Sequence, residues 1–165
     1  MRLLFSKNNK IGSYLIRWGT EGDCSHFAVE FDDCFVFQSN MKQGVNAISS
    51  QDFFAHNELV HSIKYNVSLE LEEQIWKILS KKLVGKTKWD IMAGLFWAKE
   101  VIMHRITGRE MAKINAWGDP NKMMCIELAA ELPDWLFAGQ KPERLDLMSP
   151  MNLFRLLDSV KEKVV

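Results

Sequence analysis

The sequence predicts an α+β domain in which a small antiparallel sheet packs against several helices. Three observations carry this. Residues 26–31 and 59–67 alternate apolar and polar side chains with the period of a strand. Other stretches repeat apolar residues at helical spacing behind start signals: Ser68, Asp119-Pro120 and Ser149-Pro150. The order is a short helix, then strands, then mostly helices, without internal repeats or a low-complexity linker. Residues 1–165 are therefore read as one domain.

The elements follow in chain order. Residues 10–18 read as a short helix and residues 19–23 as the loop after it. In the first strand, Phe27, Val29 and Phe31 point one way, and His26, Ala28 and Glu30 the other. Asp32-Asp33 is a turn, and Cys34 to Gln38 the returning strand. Burial of all four phenylalanines on one side selects a three-residue loop, read as pairing His26 with Gln38, Phe27 with Phe37 and Val29 with Phe35. That register sets His26 beside Gln38 on the opposite face. Gly44-Val45 reads as a loop, residues 52–56 as a helical turn and residues 59–67 as a third strand. Ser68 caps a helix over 69–83, with Glu70, Glu72 and Glu73 in its first turns and Gly85 at its end. Residues 89–106 form a second long helix, apolar nearly all round in its first half and so expected to be buried. A helix over 121–132 stops at Pro133, and the last helix carries Leu153, Leu156, Leu157 and Val160 as its stripe.

Composition narrows the function. Lys plus Arg and Asp plus Glu are 21 each, so no global field favours nucleic acid or an anionic membrane, which leaves only a local patch open. Cys24, Cys34 and Cys125 are odd in number and irregular in spacing, which argues against a disulfide framework. The apolar run Met1 to Phe5 is too short for the core of a signal peptide. The most apolar window, 91–103, is interrupted by Lys99 and Glu100 and is too short to span a bilayer. The expectation is a protein without a transmembrane segment, cytoplasmic by default, with a virion or signal-independent export as alternatives.

The chemistry centres on Cys125. A thiol in the first turn of a helix is favoured as thiolate by the free N–H groups and the helix dipole. His26 is its candidate base if folding brings the two together. Gln38 would then fix the imidazole tautomer, the third role in a triad. Each residue has a plainer reading. Cys125, Leu128, Ala129 and Leu132 fall on one helical face, as a small core residue would. His26 and Gln38 would be an ordinary cross-strand polar pair. Glu127, two residues past Cys125, reads as a capping or surface carboxylate. Cys24-x-His26 lacks a second matching pair, so no metal site is expected, and no cofactor motif is read.

A set of short segments resembles the circularly permuted branch of the NlpC-type papain-like superfamily, with the His-bearing segment before the Cys-bearing one. They are Ser25-His26-Phe27-Ala28-Val29, Phe35-Val36-Phe37-Gln38, Gly44-Val45, Gly85-Lys86-Thr87-Lys88-Trp89-Asp90 with Gly94-Leu95, Cys125-Ile126-Glu127-Leu128, and Ser149-Pro150-Met151-Asn152-Leu153. The resemblance implies a permuted papain-like fold, with Cys125 as nucleophile, His26 as base and Gln38 near the third polar position. It implies a cysteine-dependent hydrolase or acyltransferase acting through a thioester on a peptide or acyl substrate, with peptidoglycan peptide the commonest. The alternative is a catalytically inactive papain-like module serving binding or assembly, as in a phage particle. Ile126, Met124 and Trp89 depart from the residues usual at their positions, and these departures bear on substrate shape.

Overall fold

The computed structural model describes residues 1–161. Its strands are β1 (Arg2–Lys7), β2 (His26–Phe31), β3 (Phe35–Asn40), β4 (Gly44–Ser49) and β5 (Glu58–Lys64). They form one antiparallel sheet in the order β4-β3-β2-β1-β5. The α-helices are α1 (Ile11–Thr20), α2 (Ser50–His56), α3 (Leu69–Ile78), α4 (Ile91–Thr107) and α5 (Pro150–Val160). A π-helical turn, Leu79–Leu83, extends α3, and a 3₁₀ helix spans Cys125–Glu131. The α+β expectation therefore holds.

Two strands escape the alternation test for opposite reasons. In β1, Leu3, Leu4 and Phe5 are all fully buried, because the strand lies between β2 and β5 with both faces covered. Such a strand reads as a continuous apolar run rather than as alternation. The edge strand β4 is buried only at Gly44 and Val45, so little of its sequence is apolar, and the loop expected there is a strand. At the other edge, β5 ends at Lys64, three residues short of its expected end.

Start signals act as expected. Ser68 Oγ accepts from Leu71 N–H at 3.3 Å and Ser149 Oγ from Asn152 N–H at 3.1 Å. A cap not anticipated from the sequence is Asp90, whose Oδ1 accepts from Ala93 N–H at 2.9 Å and which starts α4 at Ile91. The helix expected over 121–132 is the exception. Lys122 bridges Lys88, Met123 N–H donates to Lys88 O at 2.9 Å, and Met123 O accepts from Ser39 Oγ at 2.7 Å. That backbone is committed to strand-like pairing, so winding begins only at Cys125, and it is 3₁₀ rather than α.

The two faces of the sheet differ in size. Phe5, Phe27, Val29, Phe31 and Phe37 share the main core with Ile75 of α3, Leu128 of the 3₁₀ helix and Leu153 and Leu157 of α5. On the other face, Leu4, Ala28, Val36 and Phe53 of α2 form a smaller cluster. Among the described residues, no helix is long and apolar enough to cross a membrane.

Candidate active site

The β2–β3 hairpin places His26 and Gln38. Asp32 and Asp33 both adopt the left-handed conformation (φ 51° and 53°), and Cys34 N–H closes the turn on Phe31 O at 3.0 Å. The loop has the expected three residues, but the pairing is Ala28↔Gln38, Val29↔Phe37 and Phe31↔Phe35. Relative to the expected register, β3 is displaced by two residues. A two-residue displacement keeps every side chain on its face, so the separation of phenylalanines from polar residues survives. His26 and Gln38 become diagonal neighbours and still meet, with His26 Nε2 3.0 Å from Gln38 Oε1. An amide oxygen only accepts, so Nε2 carries the ring proton and Nδ1 keeps its lone pair.

Cys125 reaches the same corner. Ala28↔Gln38 is the last paired position between β2 and β3 at this end, and residues 122–125 fill the gap beyond it. Ser39 holds the intruding segment through Met123 O. The partly exposed Cys125 receives the backbone N–H of Phe27, the residue after His26, on its sulfur. The thiol and the imidazole, 99 positions apart in the sequence, are thus brought to adjoining residues of one sheet corner.

Electrostatics alter the expected resting state. Burial pushes the Cys125 thiol up to about 11, overriding the N–H groups of Phe27, Ile126 and Cys125 itself, which favour the thiolate. The Glu127 carboxylate adds to the rise. Burial pushes the His26 imidazole down to about 4, against the Gln38 hydrogen bond that favours its protonated form. Both shifts favour the uncharged forms, against the thiolate expected at the start of a helix. Desolvation outweighs the helix terminus here, since a 3₁₀ segment of seven residues has little dipole to offer.

Glu127 is the expected capping carboxylate. Its Oε2 accepts from Met124 N–H at 2.6 Å, closing the turn that carries Cys125. Burial pushes it up to about 7, helped by the Asp146 and Asp90 carboxylates and opposed by Arg144. It lines a cleft of about 330 Å³ with Lys122, Met123 and Asp146.

These shifts have opposite signs in the stability profile. The His26 pKa is depressed from 6.5 to about 4, so its contribution is complete above pH 6.5 and lost as pH falls to 4. Glu127 is raised from 4.5 to about 7, so its contribution is complete below pH 4.5 and lost as pH rises to 7. Urea midpoints at several pH values for wild type and His26→Asn separate the two. Between pH 6.5 and 4 the variant should lose less stability than wild type, by about 3 kcal/mol. Parallel pH profiles would show that His26 is not buried neutral.

Of the other cysteines, one lies near Cys125. Cys24 is fully buried, its sulfur 4.0 Å from Met151 Sδ, and burial pushes its thiol up to about 12, a shift to which the Cys125 thiol adds. Cys34 is exposed in the turn at the end of β2 remote from His26. His56 and His61 are occupied by Asp52 O and the Asp23 carboxylate. Among the described residues, no group of three or more His, Cys, Asp or Glu is gathered as a metal would require.

Sequence reasoning did not identify the residues that assemble the corner. Ser39, Lys88 and Met123 act through backbone groups and one hydroxyl, across separations of 35 and 84 residues. No spacing pattern marks such contacts. No family model, curated protein or solved structure matches the chain.

Proposed function

We propose that the chain is a cysteine-dependent hydrolase or acyltransferase of permuted papain-like type, with Cys125 as nucleophile, His26 as base and Gln38 as the group that orients the imidazole. The observation that carries this reading is the seating of the Cys125 sulfur on the Phe27 N–H, one residue from an imidazole whose Nε2 is held by Gln38. Between about pH 4 and pH 11 both groups are neutral, so no ion pair waits in the resting site. The proton passes from Sγ to His26 Nδ1 as sulfur bonds to the acyl carbon. The N–H groups of Phe27, Cys125 and Ile126 favour negative charge on the sulfur, and the Cys125 N–H at the helix start is the donor assigned to the oxyanion that develops. The imidazolium then protonates the leaving amine or alkoxide, and water or another acceptor cleaves the thioester. Substrates of this class are peptide amides, including cell-wall peptides, and acyl esters or thioesters.

A second reading has its own support. A thiol raised to about 11 is a poor nucleophile at neutral pH, as suits a papain-like scaffold retained for binding or assembly. Turnover separates the two: purified protein is assayed against muropeptides, aryl esters and phospholipids, with Cys125→Ser as control. Turnover of any donor that vanishes in the variant supports the enzyme. Absence of turnover across all three classes supports the inactive module.

A further inference from the structure

We propose that α1 and the adjoining face of α4 form a docking surface for an anionic phospholipid bilayer. The helix α1 is amphipathic in the wrong direction for a globular protein. Its outward stripe is Ile11, Tyr14, Leu15 and Trp18, exposed by 80, 61, 45 and 42%. Its inward side carries buried Ser13, whose Oγ lies 2.5 Å from Ser25 Oγ and accepts from Asn8 N–H at 3.1 Å. A surface helix normally turns its apolar stripe to the core and its polar side to water. Here folding spends hydrogen bonds on the inner side and leaves four large apolar residues outside.

The stripe does not end with α1. Gly19 lets α4 approach so closely that a Cβ there would lie 2.0 Å from Val101 Cγ1. One turn away, the Arg105 guanidinium stands over the Trp18 ring, 6.0 Å from its centroid. On the same side of α4, Ile91, Leu95, Ile102 and Ile106 are exposed at i, i+4, i+11 and i+15. The expectation that this helix is buried thus holds for Ala93, Phe96, Trp97 and Val101 but not for this face.

Charge selects the occupant. α1 itself contains no carboxylate, but Glu21 at its C-cap is ion-paired with Arg105, and the single carboxylate in α4, Glu100, is buried and held by Arg109 at 2.6 Å with Lys99 3.6 Å away. Lys10 and Arg17 on α1 and Lys99 on α4 are the cations beside these residues in the sequence, while the Arg105 charge is met by Glu21. A second copy meeting this patch about a two-fold axis would set cations against cations. A bilayer with anionic headgroups accepts the same pattern, with Tyr14 and Trp18 at interfacial depth and lysine and arginine at the phosphates. Ser25 ties the underside of α1 to the residue before His26, so lipid contact would lie beside the corner that holds Cys125.

The proposal goes beyond the catalytic reading and is tested without turnover. The full chain is sedimented with vesicles of phosphatidylcholine alone and of phosphatidylcholine with phosphatidylglycerol, at low and high salt. Association with the anionic vesicles, weakened by salt and by at least about tenfold in Ile11→Glu/Leu15→Glu, is the expected result. Both substituted positions are exposed, and an unchanged melting temperature excludes misfolding. Failure to associate with either vesicle overturns the proposal. So does a dimer in sedimentation that the double variant dissociates while vesicle binding is absent, because the face would then be homotypic.

Discussion

Cys125→Ser is expected to lower turnover of an acyl donor by at least about a thousandfold while leaving the fold intact. A neutral hydroxyl replaces the thiol, and a hydroxyl is far harder to deprotonate with an imidazole already pushed down to about 4. The stability side follows from the partners of the sulfur. The N–H groups of Phe27 and Ile126 point at it, and an oxygen accepts them as well as sulfur does. The melting temperature should therefore move by no more than about 2 °C, the scale of about 0.5–1 kcal/mol at this chain length. Retained turnover would place the nucleophile elsewhere. Retained folding with lost turnover separates a chemical role from the packing role that the helical pattern of Cys125, Leu128, Ala129 and Leu132 also allows.

The largest stability effect is expected from Gly44→Ala. Gly44 opens β4 with φ of +68°, and a Cβ there would lie 2.3 Å from Thr87 O and 2.8 Å from Lys88 Cα. The left-handed conformation alone costs a side chain about 1–2 kcal/mol. The clash adds about 1–3 kcal/mol, since both obstructing atoms are backbone. The neighbours cannot yield cheaply: Val45 N–H donates to Thr87 O at 2.9 Å, Gly85 N–H to Val45 O at 3.0 Å, and Met123 N–H to Lys88 O at 2.9 Å. Displacing 87–88 would thus also shift the segment leading to Cys125. A loss of about 3 kcal/mol, or about 6–12 °C in melting temperature, is expected, with reduced turnover in what remains folded. Gly12→Ala is the control: nothing lies within 4 Å of its Cβ position and the site is helical, so it should stabilise slightly. Equal melting temperatures for the two variants would contradict the close approach at Gly44.

Much of this architecture was legible because burial leaves a period in sequence. The phenylalanine alternation fixed the faces of β2 and β3, and with them the meeting of His26 and Gln38, even though the pairing itself is displaced by two residues. Displacement by an even number is invisible to a face argument, so contact could be read and register could not. The buried β1 and the exposed edge β4 lack alternation, for opposite reasons. The late start of the helix at Cys125 comes from long-range backbone pairing at Lys88 and Ser39, which no local propensity encodes. The raised thiol follows from the same cause: a cysteine packed against the Phe27 backbone at the end of the sheet is desolvated, whereas one at a free helix terminus is not.

The most direct measurement is the site and rate of acylation by an activated aryl ester, read by intact mass and peptide mapping, in wild type and His26→Ala. Exposed Cys34 serves as an internal reference for unassisted reaction. The account predicts a single acyl group on Cys125 in wild type and at least about a hundredfold slower acylation of Cys125 in the variant. Equal rates at Cys125 in both proteins, or acyl groups found on Cys34 alone, would contradict it.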